Sequence, residues 1–96
     1  MVVAEISVVP IGTSSTGVGD FVREAVRIAQ ESGLKFELTS MGTNVEGELE
    51  KVIGVTKKMH EACFNRGAKR VLTTLKIDDR RDKSLTIEGK KRSATP

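Results

Sequence analysis

The sequence is poor in aromatic residues, cysteine and histidine. Its 96 residues include no tryptophan, no tyrosine, three phenylalanines, one cysteine and one histidine. A single cysteine cannot form an internal disulfide, which predicts a reducing, cytoplasmic location. His60 and Cys63 lie three residues apart, but two ligands do not make a metal site, and neither residue has the partnered base of a nucleophilic dyad. We therefore expect no metal, no catalytic cofactor and no enzymatic activity.

Long apolar runs and a charge bias of the folded body are also missing. No run reaches the roughly 18 apolar residues of a membrane span, and the first residues lack the basic segment of a signal peptide. Residues 1–78 carry ten Lys/Arg and ten Asp/Glu, whereas residues 79–96 carry six and three, so the net charge of +3 belongs to the C-terminal end. A neutral body argues against a nucleic-acid partner, and no membrane partner is expected.

Hydrophobic periodicity predicts one α+β domain. Strands are predicted at residues 2–9, 35–39, 43–46 and 69–78, and helices at 18–32 and from 48 to about 66. The apolar stripe of the second helix is expected to be Leu49, Val52, Ile53, Thr56, Met59, Cys63 and Phe64. The order βαββαβ predicts a ferredoxin-like sandwich, a four-stranded antiparallel sheet with two helices on one face. Residues 1–89 are expected to form this domain, and residues 90–96 a basic, disordered tail.

Strand alternation predicts the residues of the open face, by which we mean the sheet face turned away from these two helices. With Ala4, Ile6, Val8 and Val45 inward, the residues expected to point outward are Val3, Glu5, Ser7, Val9, Lys35, Glu37, Thr39, Asn44, Glu46, Arg70, Leu72, Thr74, Lys76 and Asp78. This mixture of apolar and polar side chains is typical of a subunit interface with a pocket, which we favour, or of a solvent-facing antiparallel sheet.

Glu5 and Glu46 are expected to be neighbours on the open face, because the first and third strands are central in this topology. Two carboxylates on a half-buried surface attract a cation. That cation is either a ligand or a basic side chain of the protein, Lys76 or Arg70.

Two known patterns are incomplete. The loop Gly12–Gly17 matches the first half of a phosphate-binding loop, but Val18 and Gly19 stand where Lys and Ser/Thr are required. A capped loop is therefore favoured over an anion site. RNA recognition motifs stack bases on aromatic residues of the first and third strands, which here have no aromatic residue and carry Glu5 and Glu46.

Three blocks of sequence together resemble the thiamine-binding protein family. They are Val9-Pro10-Ile11-Gly12-Thr13, the run Leu34-Lys35-Phe36-Glu37-Leu38 leading into Met41-Gly42-Thr43-Asn44-Val45-Glu46-Gly47, and Arg70-Val71-Leu72-Thr73-Thr74-Leu75-Lys76-Ile77-Asp78-Asp79-Arg80. Ser40 stands where the family usually has proline, and Gly17 and Gly19 replace residues that are commonly serine. The resemblance implies a ferredoxin-like fold, self-association to a dimer or tetramer, and non-catalytic binding of thiamine or its pyrimidine precursor, hydroxymethylpyrimidine.

A thiamine-like ligand needs hydrogen bonds for its aminopyrimidine and a carboxylate for its cationic thiazolium. The predicted ligand-binding residues, on the open face near subunit contacts, are Glu5, Ser7, Thr39, Met41, Gly42, Thr43, Asn44, Glu46, Thr74 and Asp78. With few aromatics, stacking would come from Phe21, Phe36 or Met41, and inward Phe36 leaves Met41 as the expected contact. The alternative is a regulatory or structural oligomeric assembly module without a dedicated small-molecule ligand.

Overall fold

The computed structural model describes residues 1–13 and 17–95. Its elements are β1 (Val2–Pro10), α1 (Gly19–Ser32), β2 (Lys35–Leu38), β3 (Thr43–Gly47), α2 (Leu49–Asn65), β4 (Val71–Asp78) and α3 (Ile87–Ala94). The strands pair antiparallel in the order β2-β3-β1-β4. The predicted ferredoxin-like α+β fold is therefore confirmed, with β1 and β3 in the centre of the sheet.

The core lies between one face of the sheet and helices α1 and α2. The inward strand residues are those that the alternation predicts: Ala4, Ile6 and Val45 are buried together with Ile28 and Ala29 of α1. These side chains, from three different elements, bring apolar area out of water, which is the main favourable contribution to such a fold. The face with Ala4 and Ile6 thus fixes the register of β1, because a shift by one residue would bury Glu5 instead.

The apolar stripe of α2 differs in phase from the prediction. Val52, Val55, Thr56, Met59 and Cys63 are buried, at the three- and four-residue spacing of one helix face. The prediction for Ile53 and Phe64 was wrong, since each lies one residue past this stripe and is exposed. Val55, which the prediction left out, packs in their place. Leu49 and Ala62 lie half-buried against the core.

Helix α1 ends as predicted at a glycine. Gly33 adopts a left-handed conformation with φ of 74°, and its N–H donates to the Gln30 carbonyl, as at many helix ends. At the other end Val18 is the N-cap and makes no side-chain capping hydrogen bond. The capped loop predicted at Gly12–Gly17 includes residues 14–16, which lie outside the described residues.

A third helix replaces the disordered tail that was predicted from residue 90. Residues 90–94 belong to α3, which begins at Ile87. The Thr86 hydroxyl accepts a hydrogen bond from the Gly89 N–H, an N-cap, and Lys91 and Arg92 lie in the last turn, where they favour the helix dipole. Ile87 is only 4% exposed. The helix is therefore held by one buried anchor as well as by its capping.

Helix α3 lies across part of the open face. Lys90 Nζ is 2.5 Å from Asp78 Oδ2 on β4, and Lys91 Nζ is 3.1 Å from Glu37 Oε2 on β2. These two strands are the two edges of the sheet, so α3 spans its width. The part of the open face that α3 leaves free is the end where Val9 pairs with Leu72.

Candidate functional site

The β2–β3 hairpin is closed by a side chain as well as by the backbone. Both the Thr39 N–H and the Thr39 hydroxyl donate to the Gly42 carbonyl, each at 2.9 Å. The Met41 N–H donates to the Thr39 hydroxyl at 3.4 Å. This turn is packed directly on β1, since a Cβ at Gly42 would stand 2.9 Å from the Ile6 carbonyl oxygen. The hairpin therefore has a fixed position over the sheet.

A cavity of about 330 Å³ opens beneath this turn, and we call it the hairpin pocket. It lies between the sheet and the helices, where the hairpin, the start of α1 and the end of α2 meet. Its walls are formed by Ile6, Ser7, Val8, Val9, Val18, Phe21, Val22, Glu24, Ala25, Leu38, Thr39, Ser40, Met41, Gly42, Thr43, Met59, Ala62, Cys63 and Arg66. Cavities of roughly 300–1,000 Å³ with apolar walls and few polar groups are typical sites for small organic ligands.

Thr43, Glu24 and Arg66 are three of the polar residues that line the hairpin pocket. Thr43 is buried, with a hydroxyl that can donate and accept hydrogen bonds. Glu24 on α1 is a carboxylate whose pKa is lowered by the hydrogen bond from Arg27. Arg66, at the end of α2, lies 3.6 Å from Glu24 Oε2. The pocket thus offers an apolar interior, hydroxyl groups and an ionised carboxylate beside a guanidinium.

The Cys63 thiol also lines the hairpin pocket. It is buried and free, and burial raises its pKa, so the neutral thiol prevails at pH 7. The expectation that Cys63 is a core residue agrees with its burial. His60 has a separate environment, with Nδ1 at 2.7 Å from the Thr73 hydroxyl and its ring edge-on to Phe64. Within residues 1–13 and 17–95 no three His, Cys, Asp or Glu side chains are grouped to hold a metal ion.

The structure divides the ten predicted ligand-binding residues between two places. Five of them line the hairpin pocket: Ser7, Thr39, Met41, Gly42 and Thr43. Three others line a second cavity of about 480 Å³ on the open face beneath α3: Glu5, Asn44 and Asp78. Glu46 is buried next to that region, and Thr74 is exposed and lines neither cavity. The ten residues therefore do not form one site.

The carboxylates of the open face are already matched by basic side chains. Glu5 Oε1 is 3.8 Å from Lys76 Nζ, and Glu46 Oε1 is 3.8 Å from Lys35 Nζ. The sequence left open whether the cation beside Glu5 is a ligand or a basic side chain of the protein. In the structure Lys76 forms this ion pair. The 3.8 Å separation at Glu46 is too long for a hydrogen bond, and Glu46 Oε1 has no hydrogen-bond partner in the described part of the chain.

Several residues of the hairpin pocket were not predicted as site residues. Phe21 and Glu24 come from α1, and Cys63 and Arg66 from the end of α2, at least 39 positions further along the sequence. No local motif marks them, because only the packing of α1 beside α2 brings them together. Phe21 is the aromatic residue in the wall of the pocket. Met41, which was the expected stacking contact, is 81% exposed at the rim.

The structure is a small ferredoxin-like domain with a cavity between its sheet and helices. Comparison with known proteins identifies its family. Residues 4–95 match the model of the family described as thiamine-binding protein, and the chain belongs to that family.

Relatives from bacteria and archaea align over nearly the whole chain. The UPF0045 protein YqgV of Bacillus subtilis is 40% identical, with 94% of this chain and 90% of the relative covered. A UPF0045 protein of Methanothermobacter thermautotrophicus is 41% identical, with 94% and 92% covered. These matches show that the chain and its relatives are of similar length and align over nearly all of it.

Solved structures agree with the fold. A hypothetical protein of Methanocaldococcus jannaschii superposes with a TM-score of 0.89 at 38% identity, covering 96% of this chain and 93% of that one. A Thermotoga maritima protein provisionally assigned to thiamine biosynthesis or salvage superposes with a TM-score of 0.81 at 28% identity, covering 98% of each chain. None of the helices in the described residues combines the length and apolar character needed to cross a membrane.

Proposed function

We propose that the protein binds thiamine or its hydroxymethylpyrimidine part without chemical conversion, and that the ligand lies in the hairpin pocket. The observation that carries this proposal is an apolar cavity with the Glu24 carboxylate at its wall, in a chain of the thiamine-binding protein family. The provisional assignment of the Thermotoga maritima neighbour to thiamine biosynthesis or salvage points the same way.

Each part of the ligand has a counterpart in the hairpin pocket. The aminopyrimidine ring is flat and apolar on its faces, which suits Phe21 and Met59, and its edge needs donors and acceptors such as the Thr43 hydroxyl. The thiazolium ring carries a positive charge, and Glu24 supplies the matching carboxylate. Thr39 serves the pocket differently from the prediction, because its hydroxyl already donates to Gly42 and holds the hairpin in place.

The hairpin pocket is preferred to the open face for reasons of charge. The open-face carboxylates Glu5, Glu37 and Asp78 each have a lysine within 4 Å, so a cationic ligand there would have to displace a lysine. Glu24 also has basic neighbours, Arg27 and Arg66. It differs in sharing its cavity with Phe21 and Met59, against which the rings of an organic cation gain burial as well as charge contact.

Calorimetric titration with thiamine and with hydroxymethylpyrimidine tests the proposal. Thr43→Val keeps the shape of the side chain and removes the hydroxyl, so we expect weaker binding by about three- to tenfold. Thr74→Val is the matched control on the exposed sheet surface, and it should bind as the wild type does. No heat and no thermal shift at millimolar ligand would refute the ligand assignment. Weakening by Thr74→Val alone would move the site to the open face.

We further propose that the protein acts in the cytoplasm as a homodimer or homotetramer and takes neither nucleic acid nor membrane as a partner. Support for self-association comes from the free end of the open face, where Val9 and Leu72 are paired across β1 and β4 and both are exposed. The same patch favours the second candidate function, an oligomeric assembly module without a small-molecule ligand. The two are separated by titration, because only the first predicts saturable binding of the vitamin.

A further inference from the structure

A third cavity adjoins the hairpin pocket, and its chemistry is different. It measures about 570 Å³ and is lined by Ile11, Gly12, Thr13, Gly17, Gly19, Asp20, Phe21, Arg23, Arg66, Gly67, Ala68 and Lys69. We call it the cationic pocket. Phe21 and Arg66 belong to the walls of both cavities, so one elongated ligand can occupy the two at once.

Basic side chains from three different segments converge on the cationic pocket. Arg23 comes from α1, Arg66 from the C-cap of α2, and Lys69 from the connection to β4. Its walls contain one acidic residue, Asp20, which is paired with Arg23. Lys69 makes no ion pair with any residue in the described ranges. Three positive charges against one negative leave an excess of two, the charge of a phosphate monoester at neutral pH.

The arrangement of charges along the two cavities matches a molecule with opposite charges at its two ends. Glu24 lines the hairpin pocket and not the cationic pocket, whereas Arg23 and Lys69 line only the cationic pocket. Arg66 stands at the boundary. A cationic ring near Glu24 would therefore place a substituent on that ring toward three basic side chains.

We propose that the cationic pocket binds the phosphate of a phosphorylated thiamine whose rings lie in the hairpin pocket. The inference rests on the proposed function, and it extends the ligand class from the free vitamin to its phosphate ester. The thiazolium ring of thiamine carries a hydroxyethyl group, and its oxygen is where the phosphate is attached. Arg66 and Arg23 can each donate two parallel hydrogen bonds to phosphate oxygens, and Lys69 adds a point charge.

The test is a comparison of thiamine and thiamine monophosphate by calorimetric titration of the full chain at low ionic strength. We expect the monophosphate to bind about tenfold more tightly than thiamine. In the double variant Arg23→Ala/Lys69→Ala this ratio should fall to about one, and in Lys69→Ala alone to an intermediate value. The control Lys51→Ala/Lys57→Ala removes two positive charges from exposed positions of α2, and it should keep the wild-type ratio.

The pH dependence gives a second readout that an indirect structural effect would not produce. The phosphate monoester gains its second negative charge above a pKa of about 6. The preference for the monophosphate should therefore shrink below pH 6 and reach its full value by pH 8. Circular dichroism on each variant establishes that it is folded before the ratios are compared.

The outcomes separate this inference from the proposed function. Equal affinity for thiamine and its monophosphate overturns the phosphate site and leaves vitamin binding in place. A preference that persists in Arg23→Ala/Lys69→Ala also overturns it. Binding of neither compound overturns both proposals. A preference that disappears in the double variant and persists in the control supports the cationic pocket.

Discussion

Gly42 and Ile6 lie so close together that a Cβ at position 42 would stand 2.9 Å from the Ile6 carbonyl oxygen. Among residues 1–13 and 17–95 only Gly12, Gly33 and Gly67 have positive φ, so Gly42 is required for space and not for backbone conformation. We expect Gly42→Ala to lower the free energy of unfolding by about 1–3 kcal/mol, because backbone must move to admit the methyl group. Chemical denaturation measures this.

Gly54→Ala is the matched control for that substitution. A Cβ at Gly54 meets open space on α2, and alanine is favoured over glycine inside a helix by about 0.5–1 kcal/mol. The control should therefore be more stable than the wild type. A Gly42→Ala protein as stable as the wild type would mean that the hairpin does not press on β1 as described. Ligand binding should be lost with Gly42→Ala, since the hairpin forms one wall of the pocket.

A double-mutant cycle tests the buried carboxylate of Glu46. Glu46 is 6% exposed, and its only charged neighbour within 4 Å in the described ranges is Lys35. Removing Lys35 alone leaves this charge without a partner, so Lys35→Met should destabilise the fold by about 1 kcal/mol. Glu46→Met should be neutral or stabilising, and Lys35→Met should cost little in that background. Equal effects of Lys35→Met in both backgrounds would show that the two residues are not coupled.

The single cysteine provides a probe of the hairpin pocket. Burial raises the pKa of Cys63, and the thiolate is the reactive form. Alkylation of the folded protein should therefore increase with pH along a curve displaced above that of the urea-unfolded chain. Thiamine at saturating concentration should slow the reaction further, as followed by mass spectrometry. Alkylation that is insensitive to thiamine, although thiamine binds, would place the ligand elsewhere.

Helix α3 should depend on its one buried side chain. Ile87→Ala removes that anchor, and the expected loss is about 2 kcal/mol or more from contacts between α3 and the sheet. Lys90, Lys91 and Arg92 lie in α3, so its release should make them early sites of trypsin cleavage. Ile53→Ala, at an exposed position of α2, is the control and should leave the digestion pattern unchanged. Identical digestion of both variants would contradict the role of Ile87.

The free end of the open face should control self-association. Leu72 is 58% exposed and pairs with exposed Val9, so Leu72→Glu would bring a carboxylate into any apolar contact made there. We expect the mass measured by light scattering to fall by at least about one half, since a buried unpaired charge is costly. The control Ile53→Glu, on the outer side of α2, should keep the wild-type mass. A wild-type protein that is monomeric at micromolar concentration would refute self-association.

Much of the fold follows from local periodicity. The alternation that puts Ala4, Ile6 and Val45 in the core is a property of each strand by itself, so the sequence was sufficient to predict it. The buried side of α2 could not be predicted from periodicity alone. Ile53 and Val55 are both apolar, and only docking against β1 decides which of them is buried. Helix α3 had a readable start at Thr86 and basic residues near its end, but its single apolar anchor was too weak a periodic signal.

The candidate site was harder to predict than the fold. The hairpin residues Thr39, Met41, Gly42 and Thr43 were selected from sequence, and the alternation assigned the ligand to the open face, whereas the proposed hairpin pocket lies on the helix side of the sheet. Phe21 and Glu24, which line the same pocket, lie in α1, before the hairpin in sequence. Only the tertiary structure places them beneath it. The ion pairs of the open face could not be predicted for the same reason, because Lys91 and its partner Glu37 are 54 residues apart in sequence.

The position of α3 across both edges of the sheet has a mechanical consequence. Tension applied at the C-terminus acts first on a helix held by one apolar side chain and surface ion pairs, and then on β4, which is joined to β1 along eight residue pairs. In a force-extension experiment the chain should therefore yield in two steps, a short extension at low force and a longer one at high force. The N-terminal strand β1 is central and paired on both sides, so when the two termini are pulled apart α3 should yield before any strand of the sheet.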